Sequence, residues 1–422
     1  MTPAQRPLLR PLEIYPLSDE QEQFVLRDPA GIATAVVLPL GAAVLASLMN
    51  GRRTLRDLQD GFQEQTGCPV ALADVEQLVL QLDQHYFLQS DRFQSYWREH
   101  VQGYLELEVR PAAHAGGAYE GEPELLRAQL ARLFTCPAGP GKPRSAPPTK
   151  SDKGALCGVL SPHIDLHRGG PTFAWAYKRV VEESEADLFI VFGTAHSPMQ
   201  NLFSVSRKHF ATPLGVVPTD LAFIDALAGE LDEIAGAGES QSLFEDEIAH
   251  RHEHSIEFQA VFLQYLLGQK RPFKIVPILT GSLHEFYEDG LEPIDDTQVR
   301  DFISALREAV EQYPGKVCYI SGGDLAHVGP RFGDPELLTA ARLRELRKDD
   351  HKLLGQACAA DAEGFFAHVA ECGDRNRICG LAPTYAMLKA MQPSYGELLR
   401  YDQAVDKNAN SCVSFASLAF YK

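Results

Sequence analysis

Seven of the fourteen histidines in this chain fall in four short segments: His163 with His167, His196, the trio His250, His252 and His254, and His327. In Leu156 to Gly170, LCGVLSPHIDLHRGG, an apolar run breaks at Ser161-Pro162 and delivers His163, Asp165, His167 and Arg168. LFIVFG runs likewise into Thr194-Ala195-His196-Ser197, and KVCYIS into Gly322-Gly323-Asp324-Leu325-Ala326-His327. An apolar run that ends in polar side chains reads as a buried strand spilling onto a loop, where open α/β sheets place their chemistry. If the three strands are parallel neighbours, three imidazoles converge on one sheet edge. Imidazole suits zinc, copper, iron and nickel, and adding a thiolate favours softer or redox-active ions.

Each of these residues also has a plainer reading. A lone loop histidine is usually a hydrogen-bonding surface group. His250 and His252 flank a polar loop and are expected to be exposed rather than ligating, and His167 with Arg168 to be solvated. Asp324 either orients the His327 ring or caps the turn that follows. Cys379, judged from its residues alone, is a buried helix-start residue.

The elements that must position these groups follow from the apolar patterning. Strand-like runs alternate with helical ones from about residue 107 onward, which argues for a layered α/β domain of about 315 residues. Helices are expected near Pro123–Phe134, Thr172–Ser184, Asp220–Ile234, Ser255–Leu267, Thr297–Gln312, Arg342–Ala359 and Pro383–Met391. Further strands are expected at Phe273–Leu279, Leu398–Tyr401 and Cys412–Phe420, with a hairpin within Phe203–Pro218. Residues 137–153 hold five prolines and no apolar periodicity, the pattern of a mobile loop.

Residues 1–100 read as a separate small α+β unit: a hairpin through Phe24–Leu38, a helix over Leu40–Met49, and helices to about Thr66 and over Leu72–Gln84. Thr54 with Asp57 three residues later has the form of a capping box.

The formal net charge of −18 over 422 residues disfavours nucleic acid and anionic membrane as partners. The uncharged stretch Gly31 to Met49 is split by Pro39 and Gly41 into strand and helix, so it is not expected to span a membrane. The N-terminus lacks the apolar core of a secretory signal, and eight cysteines without a CxxC pair look like reduced thiols; a cytoplasmic protein is expected.

The motifs VRPAAHAGGAY, SPHIDLHRGG, GTAHS, DEIAHRHEHSIEFQ, GGDLAHVG, CGLAP and SCVSFASLAFY stand in the order and spacing of the Memo family, also called protein B of the AmmeMemoRadiSam system, which the chain resembles from about Leu107 to its end. The resemblance implies a fold like that of the class III extradiol dioxygenases, with a central mixed sheet, and a mononuclear iron or copper ion. Its ligands would be His163, His196 and Cys379. Asp324, His327 and His254 would line the same pocket as candidate catalytic groups, with Glu257 behind His254. Glu257 lies three residues after His254, so on a helix the two face the same way. Residues 1–100, centred on LPLGAAVLASLMNGRRTLRDL, resemble the PqqD-like winged-helix domains, several of which bind a peptide.

The chain departs from the family's commonest wording at Ile164–His167, at Ser197, and at Leu381-Ala382, where a basic pair is frequent. The ligand set is kept while the substrate wall differs.

The leading expectation is a metal-dependent oxidoreductase acting on a small-molecule or peptide substrate. Its partners would be a radical SAM enzyme and an AMMECR-like protein. The competing expectation is a scaffold that binds a peptide or protein without catalysis, and a zinc hydrolase is the third.

Overall fold

A computed structural model describes residues 5–18, 21–28, 32–144, 148 and 153–422. Two compact units divide the chain, Met1–Glu106 and Leu107–Lys422.

In the first unit, β1 (Glu13–Ser18), β2 (Gln21–Arg27) and β3 (Val36–Pro39) form an antiparallel sheet in that order. The expected hairpin is the β2–β3 pair; its turn at 29–31 lies outside the described residues. Helices α1 (Leu40–Leu48), α2 (Leu55–Thr66) and α3 (Leu72–Gln84) begin and end within a residue or two of their expected limits. Both capping-box bonds are made: Thr54 Oγ1 accepts from Asp57 N (3.2 Å), and the Asp57 carboxylate accepts from Thr54 N (2.8 Å). Leu45, Ala46, Leu58, Val75 and Val79 share one core. Strand β1 and helix α4 (Asp91–Leu105) had no counterpart in the sequence reading. The α4 sequence is mostly polar and aromatic, and only Phe93 and Tyr104 on it are buried.

The second unit carries an eight-stranded mixed sheet. Its strands are β5 (Leu156–Ser161), β6 (Leu188–Thr194), β7 (Phe203–Val205), β10 (Lys274–Thr280), β11 (Val317–Gly322), β12 (His327–Val328), β13 (Tyr395–Asp406) and β14 (Ser411–Tyr421). They run in the order β12-β14-β5-β11-β6-β10-β7, with β13 on β14. The central four, β5, β11, β6 and β10, are parallel. A small second sheet joins β4 (Val109–Arg110), β8 (His209–Thr212) and β9 (Gly215–Val217).

Apolar side chains alternate between the two faces of the central strands and are covered on both sides, as parallel sheets require. One face meets α5 (Pro123–Thr135), α6 (Leu166–Glu183) and α9 (His254–Leu267). The other meets α7 (Leu221–Ala235), α8 (Ser242–Glu245), α11 (Thr297–Gln312), α12 (Ala340–Cys358), α13 (Ala362–Ala370) and α14 (Leu381–Met391); α10 (His284–Asp289) is short and has no buried residue. Among the described residues, no helix is long and apolar enough to cross a membrane.

Three local readings change. Helix α6 begins at Leu166, six residues earlier than expected, with Asp165 as N-cap accepting from Arg168 N (3.1 Å). The Gly169-Gly170 pair lies inside this helix and allows close packing: a Cβ at Gly169 would lie 2.1 Å from Ile164 Cγ2, and one at Gly170 would lie 2.5 Å from Leu133 Cδ2. Helix α13, nine residues long, had no counterpart in the apolar patterning. Of the proline-rich 137–153 segment, 145–147 and 149–152 lie outside the described residues. Its first part is anchored: Ala138 O accepts from Trp175 Nε1 (3.0 Å) and Arg144 N donates to Glu182 (2.8 Å).

Asp350 on α12 is buried, and its Oδ2 accepts from Tyr401 OH (2.7 Å). Burial pushes this carboxyl up from 3.8 to about 6. The folded state therefore holds a proton that the unfolded chain releases, and stability falls as pH rises between those values. By neutral pH the loss is on the order of 2–3 kcal/mol. Asp350→Asn is expected to match the parent near pH 4 and to exceed its melting temperature increasingly toward pH 7, read by thermal denaturation across pH.

Candidate metal centre

The parallel register of β5, β11 and β6 puts their carboxyl ends on one edge. His163, His196 and Asp324 each stand two positions past a last strand residue, Ser161, Thr194 and Gly322 respectively. His327 begins β12 on the same side. The fifth contributor, Cys379, arrives from the start of α14. Gly323 and Gly380 meet backbone to backbone: a Cβ on Gly323 would sit 2.7 Å from Gly380 Cα, and one on Gly380 would sit 2.4 Å from Asp324 O. Gly380 N donates to Asp324 O (2.8 Å) and Thr194 Oγ1 to Cys379 O (2.8 Å), which brings Cys379 Sγ to 3.1 Å from His163 Nε2.

Each imidazole of the cluster is held by its Nδ1. His163 Nδ1 lies 2.9 Å from Gly322 O, an acceptor only, so Nδ1 carries the proton and Nε2 is bare. His196 Nδ1 faces both oxygens of Glu253 (3.0 and 3.1 Å), and His254 Nδ1 lies 3.2 Å from Glu253 Oε1. His327 Nδ1 meets the carbonyls of Leu325 and Arg377, both at 3.2 Å. These tautomers are assigned from the acceptors. The result is a set of outward-facing Nε2 lone pairs beside a thiol.

The charge states follow from burial. His163 is enclosed, and desolvation followed by the neighbouring His196 charge takes it down to about 3. Desolvation also holds His254 well below the usual imidazole value and His327 below it. Burial acts against a charged His196 as well, but the Glu253 carboxylate outweighs it and raises that ring; with 41% of its side chain exposed, His196 is also the ring solvent screens most. Glu253 itself is buried, yet the His196 and His254 contacts hold it well below the carboxylate range. Burial, then the Asp324 charge, lifts the Cys379 thiol well above its usual value, so S–H donates to His163 Nε2. Burial raises Asp324 to about 6.

One ring nitrogen from each of His163 and His196, and the Cys379 sulfur, lie within 4.8 Å of one another. Bonds of about 2.0–2.3 Å put ligands of one ion up to about 4.5 Å apart, so small side-chain movements close this set on a single cation. Two imidazoles, each with its second nitrogen fixed by an oxygen, and a thiol are donors that fit a soft or borderline transition metal. His196, Glu253 and His254 form a second close group. Its carboxylate is already engaged by His196 N, His254 N (both 2.8 Å) and Ser255 N (2.9 Å), which makes Glu253 a holder of rings.

The remaining sequence candidates sort differently. His254 does join the cluster, stacked on His196 with ring centroids 4.6 Å apart. Glu257 does not reach it: its carboxylate lies below, fully buried, on Arg110 Nη1 (2.7 Å), Tyr119 OH (2.5 Å) and the N–H groups of Ala113 and His114. Asp324 neither holds the His327 Nδ1 nor caps the following turn. It reaches across the sheet to accept from His163 N (2.9 Å), and its Oδ2 lies 3.8 Å from His163 Nε2. His250, expected to be exposed, is buried, with Nε2 at 3.2 Å from Ser204 O; His252 is exposed. His167 and Arg168 are exposed on the first turn of α6, Arg168 pairing with Asp165. Glu253 went unnoticed because glutamate is not a favoured N-cap residue, so nothing flagged its place at the start of α9.

A cleft of about 280 Å³ opens beside His196 and Cys379, walled by Ala195, Leu283, Ile378 and Leu381 among others.

The family model described as Memo-like protein matches residues 110–419. The chain belongs to the Memo family. A MEMO1 family protein of Aquifex aeolicus is 27% identical over 424 residues, covering 99% of this chain and all of that protein. One from Methanopyrus kandleri, MK0963, is 28% identical over 322 residues, 74% of this chain and 98% of its own length. One from Sulfurisphaera tokodaii is 30% identical over 286 residues, 66% of this chain and 86% of its own. The first of these therefore extends the likeness through the N-terminal unit of this Memo protein.

Gly323→Ala tests how Cys379 is delivered. The added methyl has backbone against it and must displace the 379–380 segment, at a cost of about 1–3 kcal/mol. Cys379 should become several-fold faster to alkylate, read by peptide mass mapping with buried Cys157 and Cys318 as internal references.

Proposed function

We propose that this Memo-family chain is a metal-dependent oxidoreductase holding one iron or copper ion through His163, His196 and Cys379. Its substrate would be a small molecule or a peptide side chain entering the adjacent cleft. The observation that supports this reading is the donor set itself: one ring nitrogen from each of His163 and His196 and a sulfur within 4.8 Å, with both imidazoles fixed through Nδ1. When bound, such an ion supplies electron transfer and Lewis-acid polarisation.

The chain's own residues supply the rest. A thiolate in place of the carboxylate of a two-histidine, one-carboxylate iron site keeps the charge count but softens the donors, which favours copper(I) or a differently poised iron. His327 offers a bare Nε2 whose opposite nitrogen is pinned by two carbonyls, and burial keeps the ring neutral at pH 7. That nitrogen is suited to take a proton from a substrate as general base. Asp324, which holds the His163 backbone, fixes the imidazole that contacts Cys379.

Tag-free protein is expected to carry about one iron or copper per chain by plasma mass spectrometry, and His163→Ala and Cys379→Ser to lose it. Unchanged metal content in both variants rejects the ligand assignment. A second test uses pH. The Cys379 thiol is protonated throughout the neutral range, so each ion bound displaces at least one proton, and affinity should fall about tenfold per unit of pH lowered. Calorimetry in two buffers of different ionisation enthalpy reads the released proton, and a pH-independent affinity removes Cys379 from the ligand set.

A scaffold reading draws on the N-terminal unit. It has its own core and an edge strand, β3, whose Val37 is 52% exposed, as strand addition of an extended peptide requires. Under this reading the PqqD-like unit captures a peptide for a radical SAM enzyme and an AMMECR-like protein, in a cytoplasmic setting suited to eight free cysteines. A pull-down that needs residues 1–106 and ignores Cys379→Ser would favour it.

A further inference from the structure

The motif VRPAAHAGGAY supplies none of the donors, yet it lies directly beneath them. Arg110 is fully buried, and its guanidinium donates to four separate groups. Nε donates to His250 O (2.6 Å), Nη2 to Glu253 O (2.6 Å), and Nη1 to Glu257 Oε2 (2.7 Å) and Pro111 O (3.0 Å). The two outer carbonyls belong to the first and last residues of the turn His250–Glu253. Beyond that turn, the Glu253 side chain takes the backbone N–H and Nδ1 of His196.

Glu257 serves this grip as a counter-ion. Burial alone would raise its carboxyl, but Arg110, His114 and the Tyr119 hydroxyl together hold it below its usual value. Its other contacts, Ala113 N, His114 N and Tyr119 OH, tie the motif to the first turn of α9. The fork of donors is what matters: a lysine ammonium is a point charge and cannot hold two carbonyls and a carboxylate in one plane.

We infer that Arg110, neutralised by Glu257, is a positioning residue for His196: by fixing both ends of the 250–253 turn it aims the Glu253 carboxylate at Nδ1 and so keeps Nε2 bare toward Cys379. Arg110 acts through Glu253, not on a bound ion. The consequence for metal affinity rests on the ligand set proposed above; the effect on the ring itself does not.

The test therefore starts with metal-free full-length protein. Long-range imidazole ¹⁵N–¹H spectra at alkaline pH should show His196 as the Nδ1–H tautomer in the parent and as a mixture in Arg110→Lys. His163, held by Gly322 O, serves as the control and should not change. A merely structural role would disturb both rings or neither. If Arg110→Lys does not fold, Arg110→Gln with Glu257→Gln removes both buried charges together and is read the same way. An unchanged His196 tautomer in a folded variant overturns the inference.

With Fe(II) added anaerobically, Arg110→Lys should weaken binding 10–100-fold, and should cost little more when Glu253→Gln is already present. Fully additive losses would also overturn it. A parent protein that takes up no Fe(II) would count against the metal reading alone, since the tautomer measurement still decides the role of Arg110.

Discussion

The parallel register of β5, β11 and β6 is the constraint on which the rest of the site depends. Hydrogen-bonded neighbours in a parallel sheet must end on the same side, and each of these strands carries a polar residue two positions beyond its end. His163, Asp324 and His196 are thereby brought to one edge, where His163 N donates to Asp324. The strands are held in register by side chains that are almost wholly apolar and buried on both faces. A slip of one residue would exchange those faces and scatter the edge.

Polar groups gathered in this way are costly unless each is satisfied. The solution here is to keep His163, His254 and His327 neutral, to pair His196 with a carboxylate, and to tie each ring through one nitrogen. Three carbonyls and one carboxylate take up the Nδ1 protons of His163, His327, His196 and His254. The charge that remains buried is paired twice over, Glu253 with the raised His196 and Glu257 with Arg110. Breaking one member of a buried pair leaves the other unpaired, which explains why the motif beneath the site and the donors above it form one unit. The match to the Memo family over 110–419 spans both the donors and the motif beneath them, and Leu381 and Ala382 line the cleft beside the donors.

Much of this was legible beforehand, unevenly. Long segments with clear periodicity, such as α3, α11 and the three site strands, fall where patterning put them. Patterning failed where a residue type served packing rather than turning, as at Gly169-Gly170, and where a helix buries only two of its side chains, as in α4. His250 is expected to be exposed because it flanks a polar loop, but its ring is buried with Nε2 near Ser204 O.

The sequence by itself determined that strands alternate with helices, that histidines stand at strand ends, and, through its motifs, which family the chain joins. These are properties of local order and spacing, fixed by the period of side chains along a strand or helix. Tertiary structure alone decided which strands are neighbours, that Cys379 reaches His163 across 216 positions, and that Glu253 rather than Glu257 holds the rings. Those two glutamates stand four positions apart on one helix start, but they point into different surroundings: one faces imidazoles and backbone N–H groups, the other a buried guanidinium. Only packing against segments distant in the chain creates that difference, because a carboxylate's role is set by what surrounds it and not by its place in the sequence.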